Sequence, residues 1–384
     1  MKHLKLLGYA LIPILIISAI FCCFNVNLNS LSAVSSSAKA MCVIEKDSGR
    51  ILYSKNENEK LPMASTTKIM TAITVLQNCQ NLDELITVDD AAVGVEGTSI
   101  YLRKDETLTI KDLLYGLMLR SGNDAATALA YHVGGSIEGF TEKMNNLAKT
   151  IGATNSHFAN PHGLDNPNHY TTAYDLALIT GYALNNPIFK EIVSSKTYQI
   201  EATNKSEKRY LTNKNRLLTS LDGCCGVKTG FTNKAGRCLV SACERDDFTA
   251  ICVVLNCGPM FEESTELLNT AYKDYDRIKI IDKNKEIYNE YHINEHDGRL
   301  YLYTSEDFEY PLKESEFNRL KLEYIVCLDN AYAGGEVGKI DISLDNCLLK
   351  SLKLYTINKI DKLIDNNTLN ISELLWEENF NENQ

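Results

Sequence analysis

The chain has no basic block. Its 39 lysines and arginines are outnumbered by 50 aspartates and glutamates, giving a formal net charge of -11, and this excludes nucleic acid and other polyanions as partners. No cysteine and histidine spacing matches a zinc site, and the seven histidines are dispersed along the chain. There is no internal repeat and no low-complexity linker, so a repeat architecture is excluded. What remains is a chain of 384 residues, 44% of them apolar, which is material for two globular domains.

Twelve cysteines are present, but they are scattered. Cys238, Cys252, Cys327 and Cys347 lie in apolar strand-like runs and read as buried small hydrophobes. Cys224 and Cys225 are adjacent, and neighbours in sequence pair only with considerable strain. Neither a disulfide nor thiol catalysis is expected. At the amino terminus Lys2 and Lys5 precede an apolar run from Leu6 to about Phe24, followed by small and hydroxyl residues ending in Ala38-Lys39-Ala40. Residues 1–40 therefore read as an export signal, with a retained membrane anchor as the alternative. Bulky Ile20 and Phe21 before Cys22 and Cys23 do not suit a lipoprotein site.

Residues 40–45 and 50–54, which alternate or run apolar, flank Asp47-Ser48-Gly49, a hairpin turn. Helical periodicity covers 111–120, 124–133 and 139–151, the last with Phe140, Met144, Leu147 and Ile151 on one face and Gly152 as its stop. Residues 227–229, 237–243 and 248–256 read as antiparallel strands with a turn at 244–247, and 264–275 reads as a closing helix. Strands at both ends with helices between them predict an α+β fold, an antiparallel sheet covered by helices. From about residue 278 the texture changes to charged residues mixed with short alternating runs such as Leu320-Lys321-Leu322-Glu323, a small second domain that is mostly β. The division expected is 41–277 and 278–362, followed by an acidic tail over 363–384.

Lys68 is the anomaly in this pattern. Ile69, Ala72, Ile73 and Leu76 recur at helical spacing, and Ser65 and Lys68 fall on or beside that stripe. A buried lysine without a partner escapes the cost of desolvation by a lowered pKa, and a neutral amine one turn from a hydroxyl is a general base. Pro62 and Ser65 mark a helix start, where unpaired N–H groups and the positive dipole end favour a developing negative charge. A helix cap with a snorkelling lysine is the bland reading of the same residues. Ser121-Gly122-Asn123 breaks two predicted helices, with capping by Asn123 or Asp124 as its bland reading. Lys228-Thr229-Gly230 lies on a strand followed by a turn, where a solvated edge lysine is the alternative.

In this order the three motifs resemble those of the serine D-alanyl-D-alanine carboxypeptidases, the low-molecular-mass penicillin-binding proteins. Supporting stretches are Pro62-Met63-Ala64-Ser65-Thr66-Thr67-Lys68, Asn160-Pro161-His162-Gly163-Leu164, His169-Tyr170-Thr171-Thr172-Ala173-Tyr174-Asp175, Thr212-Asn213-Lys214-Asn215-Arg216-Leu217-Leu218 and Gly226-Val227-Lys228-Thr229-Gly230-Phe231-Thr232. The resemblance is close over roughly 38–275 and looser beyond. It implies a β-lactamase/transpeptidase-like fold with an inserted helical subdomain. It also implies that Ser65 attacks the carbonyl between two D-alanines of a peptidoglycan stem pentapeptide, with Lys68 as base and Ser121 relaying a proton. Asn123 would hold Lys68 or the substrate amide, and Lys228 and Thr229 the terminal carboxylate. Gly230 would let the strand approach the peptide, and the backbone N–H groups of Ser65 and Phe231 would form the oxyanion hole.

The resemblance further implies no cofactor, β-lactam antibiotics as inhibitors, and a site of action at the outer face of the bacterial cytoplasmic membrane or in the wall. His162 sits in a tight Asn-Pro-His-Gly loop and reads as a turn residue rather than a base. In the tail, Glu373, Glu377 and Glu378 interrupt the apolar face of 371–380, which argues against anchoring on anionic lipid and leaves peripheral membrane association open. A β-lactamase of related fold would need a carboxylate to drive deacylation, and the loop 155–170 offers Asp165 but no glutamate. A non-catalytic peptidoglycan-binding protein is the remaining alternative.

Overall fold

A computed structural model describes residues 36–285, 287–293, 296–326, 334–357 and 369–372. They fall into two compact units divided between Asp276 and Arg277. The export segment lies outside the described residues except for 36–40, where Ala40 already opens the first strand. Cys327 also lies outside them, as does the acidic tail apart from Leu369–Ser372.

The first unit is built on an antiparallel sheet. Strands β1 (Ala40–Glu45) and β2 (Ile51–Lys55) form the expected hairpin, and the Glu45 carboxylate accepts from the backbone N–H groups of Asp47 at 3.0 Å and Ser48 at 2.7 Å to fix its turn. Short two-stranded hairpins at Leu85–Thr87 with Thr107–Thr109 (β3, β4) and Thr197–Ile200 with Arg209–Thr212 (β5, β6) lie outside that sheet. Strands β7 (Cys224–Thr232), β8 (Gly236–Arg245) and β9 (Phe248–Leu255) complete the sheet in the order β2-β1-β9-β8-β7.

Both faces of this sheet are covered. Cys42, Ile44, Val240, Ala242, Ile251 and Val253 pack into the core on the side of the central helices. Their neighbours Met41, Val43, Leu239, Cys243, Cys252 and Val254 join Leu267, Leu268 and Ala271 in a second core. Successive strand side chains point to opposite faces, so a strand between two cores is apolar at every position. This is why residues 250–255 of β9 are apolar at every position.

The helix α1 (Lys68–Asn78) is buried over its whole first two turns, from Lys68 to Val75, as befits an element surrounded by others. Helices α2 (Asn123–Gly134), α3 (Ile137–Ile151) and α4 (Ala173–Leu184) surround it. Ser136 caps α3 by accepting from the Gly139 N–H at 3.0 Å, and Gly152 ends it at φ 91°. The periodic segment 111–120 is not one continuous α-helix. It runs as α-helix over Ile110–Tyr115, loosens to a π-helical turn over Gly116–Arg120, and stops at Ser121 in the left-handed conformation, φ 65°. The closing helix α5 (Met260–Asp274) covers the other face of the sheet.

The second unit is mostly β. Strands β10 (Asp276–Ile281) and β13 (Phe308–Leu312) pair with each other. Strands β11 (Ile287–Ile293), β12 (His296–Tyr303), β14 (Leu320–Val326), β15 (Glu336–Leu344), β16 (Cys347–Thr356) and β17 (Leu369–Ser372) form a sheet in the order β11-β12-β16-β15-β14-β17. Leu302, Leu312, Val326, Ile340, Ile342 and Leu354 are its core. Cys347 corrects the sequence reading: it is exposed, because it stands at the mouth of the Asp345-Asn346 turn where β16 has only begun. Cys238 and Cys252 are fully buried, as expected.

Candidate active site

Ser65 lies in a 3-10 turn, Ala64–Thr67, that leads directly into α1. Threonine hydroxyls fasten this turn. Thr66 Oγ1 donates to Met63 O at 2.6 Å and Thr67 Oγ1 to Ala64 O at 2.8 Å. Ala64 is left-handed at φ 49°, which costs a non-glycine residue about 1–3 kcal/mol unless its surroundings hold it there. Its carbonyl is clamped from the far side by Gly163, where an added Cβ would stand 1.9 Å from Ala64 O. The Asn-Pro-His-Gly loop therefore needs its glycine for close approach as well as for its φ of 91°.

A histidine completes the support. His169 Nδ1 accepts from the Ala159 N–H at 3.0 Å, which puts the ring proton on Nε2, 2.7 Å from Thr67 Oγ1. That proton goes to Thr67, and the Thr67 proton goes on to Ala64 O. Burial first, then the charges of His157 and Lys68, push His169 down to about 4, so it stays neutral. His162 is pushed down to about 3 by burial and then by Lys68. Its ring accepts from the Leu164 N–H at 3.2 Å, while its backbone carbonyl faces the lysine.

Lys68 is fully buried. Its Nζ stands 3.1 Å from Ser65 Oγ, 2.7 Å from Asn123 Oδ1 and 2.6 Å from His162 O. Asn123 is orientated unambiguously, because its Nδ2 donates to Glu96 O at 2.6 Å and so turns Oδ1 to the lysine. It opens α2 without capping it; the cap position is Gly122, with no side-chain hydrogen bond. Burial, then the charges of Lys228 and Lys214, hold the Lys68 amine well below the ordinary lysine value, against an opposing pull from Asp124.

A neutral amine carries two protons and one lone pair. Two of the three neighbours of Nζ, Asn123 Oδ1 and His162 O, are carbonyl oxygens that can only accept. In the neutral form they would take the two protons and leave the lone pair for the Ser65 hydroxyl.

Asp124, next along, performs a different task. Its carboxylate accepts from Ser99 Oγ at 2.6 Å and from the N–H groups of Ile100 at 3.1 Å and Leu102 at 3.0 Å, which binds the preceding loop to the start of α2. Arg209 secures that loop from the other side through Ile100 O at 2.9 Å and Glu106 at 2.8 Å. Ser121 is brought in two residues before Asn123. Its Oγ is buried and makes no hydrogen bond among the described residues, an unusual expense for a hydroxyl.

Strand β7 forms the opposite wall. It is the edge of its sheet, and at Gly230 it comes so close to the Ser65 turn that an added Cβ would lie 3.1 Å from Met63 O, 3.1 Å from Ser65 N and 3.2 Å from Ala64 Cβ. Lys228 is buried and drawn down to about 7 by burial and then by Lys214; its Nζ donates to Thr229 O at 2.9 Å. Thr229 is half-buried, and Phe231 is 62% exposed. Lys214, which the sequence singled out only as part of a longer stretch, is itself lowered by burial and by Arg120, and its charge reaches both buried lysines. Nothing in its local sequence distinguishes it from a surface lysine.

A serine on a fastened turn, a buried lysine amine 3.1 Å from its hydroxyl, and a second buried lysine on an edge strand fit a serine acyl-transfer enzyme on a helix-covered antiparallel sheet. Residues 27–258 match the family described as D-alanyl-D-alanine carboxypeptidase, and residues 275–362 match the penicillin-binding protein 5 C-terminal domain. The chain belongs to the D-alanyl-D-alanine carboxypeptidase family and is a serine-type hydrolase. It is 35% identical to the D-alanyl-D-alanine carboxypeptidase DacF of Bacillus subtilis over 264 residues, covering 67% of each chain. With DacA of Haemophilus influenzae it shares 28% over 341 residues, 84% of this chain and 85% of that one. Among solved structures, penicillin-binding protein 5 from Haemophilus influenzae superposes with a TM-score of 0.70 at 27% identity, covering 85% of this chain and 98% of that one. The Streptomyces K15 DD-transpeptidase does so at 0.60 and 33%, over 63% and 99%.

Proposed function

We propose that Ser65 is the nucleophile and Lys68 the general base of a D-alanyl-D-alanine carboxypeptidase that trims peptidoglycan stem pentapeptides. The observation that carries this reading is the pair of carbonyl acceptors at Lys68 Nζ, which leaves the amine lone pair for Ser65 Oγ at 3.1 Å. Ser65 Oγ attacks the carbonyl between the two D-alanines as its proton passes to Lys68. The N–H groups of Ser65 and Phe231 receive the oxyanion, a donor of this kind being worth about 3 kcal/mol of barrier. Ser121, whose buried hydroxyl has no partner among the described residues, hands a proton to the departing D-alanine. Water then hydrolyses the acyl-enzyme.

Lys228, with Thr229, holds the terminal carboxylate. A carboxylate beside this buried amine restores its proton and gains a charge-assisted hydrogen bond. The extended peptide adds to the free edge of β7, where Gly230 allows the approach. A β-lactam resembles the D-alanyl-D-alanine terminus and acylates Ser65 in its place. In this proposal the segment before residue 41 exports the enzyme to the outer face of the membrane or the wall, and 41–277 is the peptidase domain, ahead of a β-rich domain over 278–362.

A β-lactamase gains no support from Asp165, which is exposed and accepts from Thr232 Oγ1 at 2.9 Å. Fluorescent penicillin should label the purified chain, with mass mapping placing the adduct on Ser65, and diacetyl-Lys-D-Ala-D-Ala should lose one D-alanine. A folded chain that does neither ends the proposal. Slow release of the adduct supports the carboxypeptidase, and rapid turnover the lactamase.

A further inference from the structure

Cys224 and Cys243 stand directly opposite each other on β7 and β8. The Glu244 N–H donates to Gly223 O at 2.9 Å, a bond that flanks the two cysteines rather than joining them. In an antiparallel pair of this kind the Cα atoms lie about 4.5 Å apart and the side chains are at their closest. Disulfides span Cα separations of about 4.4–6.8 Å, so the backbone already meets the requirement.

The directions of the side chains agree. Cys224 and Cys243 both contribute to the core beneath α5, whereas Cys225, on the bulge that follows, turns to the opposite core. The adjacent pair in sequence is thus split between two faces, and the pair in space is the one the sequence does not advertise. Both sulfurs are thiols in this structure. A hydrogen bond from the Cys243 thiol lowers the Cys224 thiol, against the opposing effect of burial, and the same bond together with burial raises Cys243. Cys224 is also the half-buried member, while Cys243 is buried.

We propose that Cys224 and Cys243 are a disulfide-forming pair that staples the edge strand of the active site to its neighbour. With a small-molecule disulfide as oxidant, the Cys224 thiolate attacks one of its sulfurs and expels the other as a thiol. The Cys243 thiol then loses its proton and displaces the second. Two protein thiols and one reagent disulfide become one protein disulfide and two reagent thiols, so the protein sulfurs are oxidised and the reagent reduced. The bond closes the start of the strand that carries Lys228, Thr229 and Gly230.

The test uses the folded full chain in oxidised glutathione, alkylated without reduction and mapped by mass spectrometry. The expected result is a cross-linked peptide joining Cys224 to Cys243, unchanged by Cys225→Ser and abolished by Cys224→Ser. Oxidation should also raise the melting temperature by several degrees in the parent and in Cys225→Ser, reversed by dithiothreitol, with no rise in Cys224→Ser. A Cys224 to Cys225 link, a lasting glutathione adduct on Cys224, or two thiols that remain free in the oxidised protein overturns the proposal.

Discussion

Gly230 and Ser65 are neighbours with no room between them: a methyl group on Gly230 would lie 3.1 Å from the Ser65 amide nitrogen and 3.1 Å from Met63 O. That nitrogen carries one of the two N–H groups proposed to receive the oxyanion. Gly230→Ala should therefore push the strand and the turn apart by a few tenths of an ångström. The expected outcome is a drop in the rate of penicillin labelling on the order of 10-fold to 100-fold, since small misplacements at the reacting centre are costly. The melting temperature should change little. Stopped-flow labelling alongside a thermal melt checks this, and an unaltered rate would sink the proposed part played by this contact.

Removing the amine should separate chemistry from folding. Lys68→Ala deletes the proposed base, and general-base steps are worth about 10²–10⁴-fold. It also removes a buried amine that folding must desolvate. Labelling of Ser65 is expected to fall to background while circular dichroism and the melting transition survive. A variant that labels at the parent rate would exclude Lys68 as the base.

Asn123→Asp replaces a neutral acceptor 2.7 Å from Nζ by a charged one. A carboxylate at that distance raises an amine pKa by about 1–3 units, so the acid limb of the acylation profile should move up by the same amount. Acylation near pH 7 should fall and should recover in alkaline buffer, whereas Asn123→Ala should lose rate without that recovery. Labelling rates across pH distinguish the two variants, and an acid limb that stays in place for Asn123→Asp would refute the assignment.

Lys228 makes opposite demands on activity and stability. Burial and then Lys214 bring it down to about 7 from an ordinary 10.5. The proposed carboxylate recognition needs its proton, so kcat/KM for a D-alanyl-D-alanine peptide should decline above about pH 7 with a one-proton slope, carried by KM more than by kcat. For stability, between about pH 7 and 10.5 the unfolded chain holds a proton on this residue that the folded chain has released. The contribution of this residue to folding stability therefore rises with pH through that window. Lys228→Met, which cannot titrate, should abolish the alkaline decline attributable to this group and flatten its share of the stability profile. Steady-state kinetics and urea melts over the same pH range measure both.

Much of this was legible in the sequence because the physics is local. A lysine on the apolar stripe of Ile69, Ala72 and Ile73 has to be buried, and its burial announces a lowered pKa. The hairpin at Asp47-Ser48-Gly49 and the stop at Gly152 follow from turn and cap chemistry. What the sequence hides is whatever depends on contacts between distant segments. Lys214 influences the two buried lysines only because the chain after β6 returns to them. The His169 relay to Thr67 joins residues about a hundred positions apart. The π-helical turn at Gly116–Arg120 follows a helix whose apolar spacing gives no warning of it. Cys347 lay in an apolar run, yet its place beside a turn leaves it exposed.

The setting of Lys68 Nζ also bears on how little must move in the proposed proton transfer. Neutral, the nitrogen gives two protons to Asn123 Oδ1 and His162 O and takes one from Ser65; charged, it has three protons and the same three oxygens to receive them, at 2.7, 2.6 and 3.1 Å. No side chain has to swing and no partner has to be found. The reorganisation that makes proton transfer slow in water is met when the chain folds, once for the lifetime of the protein, and not again at each turnover.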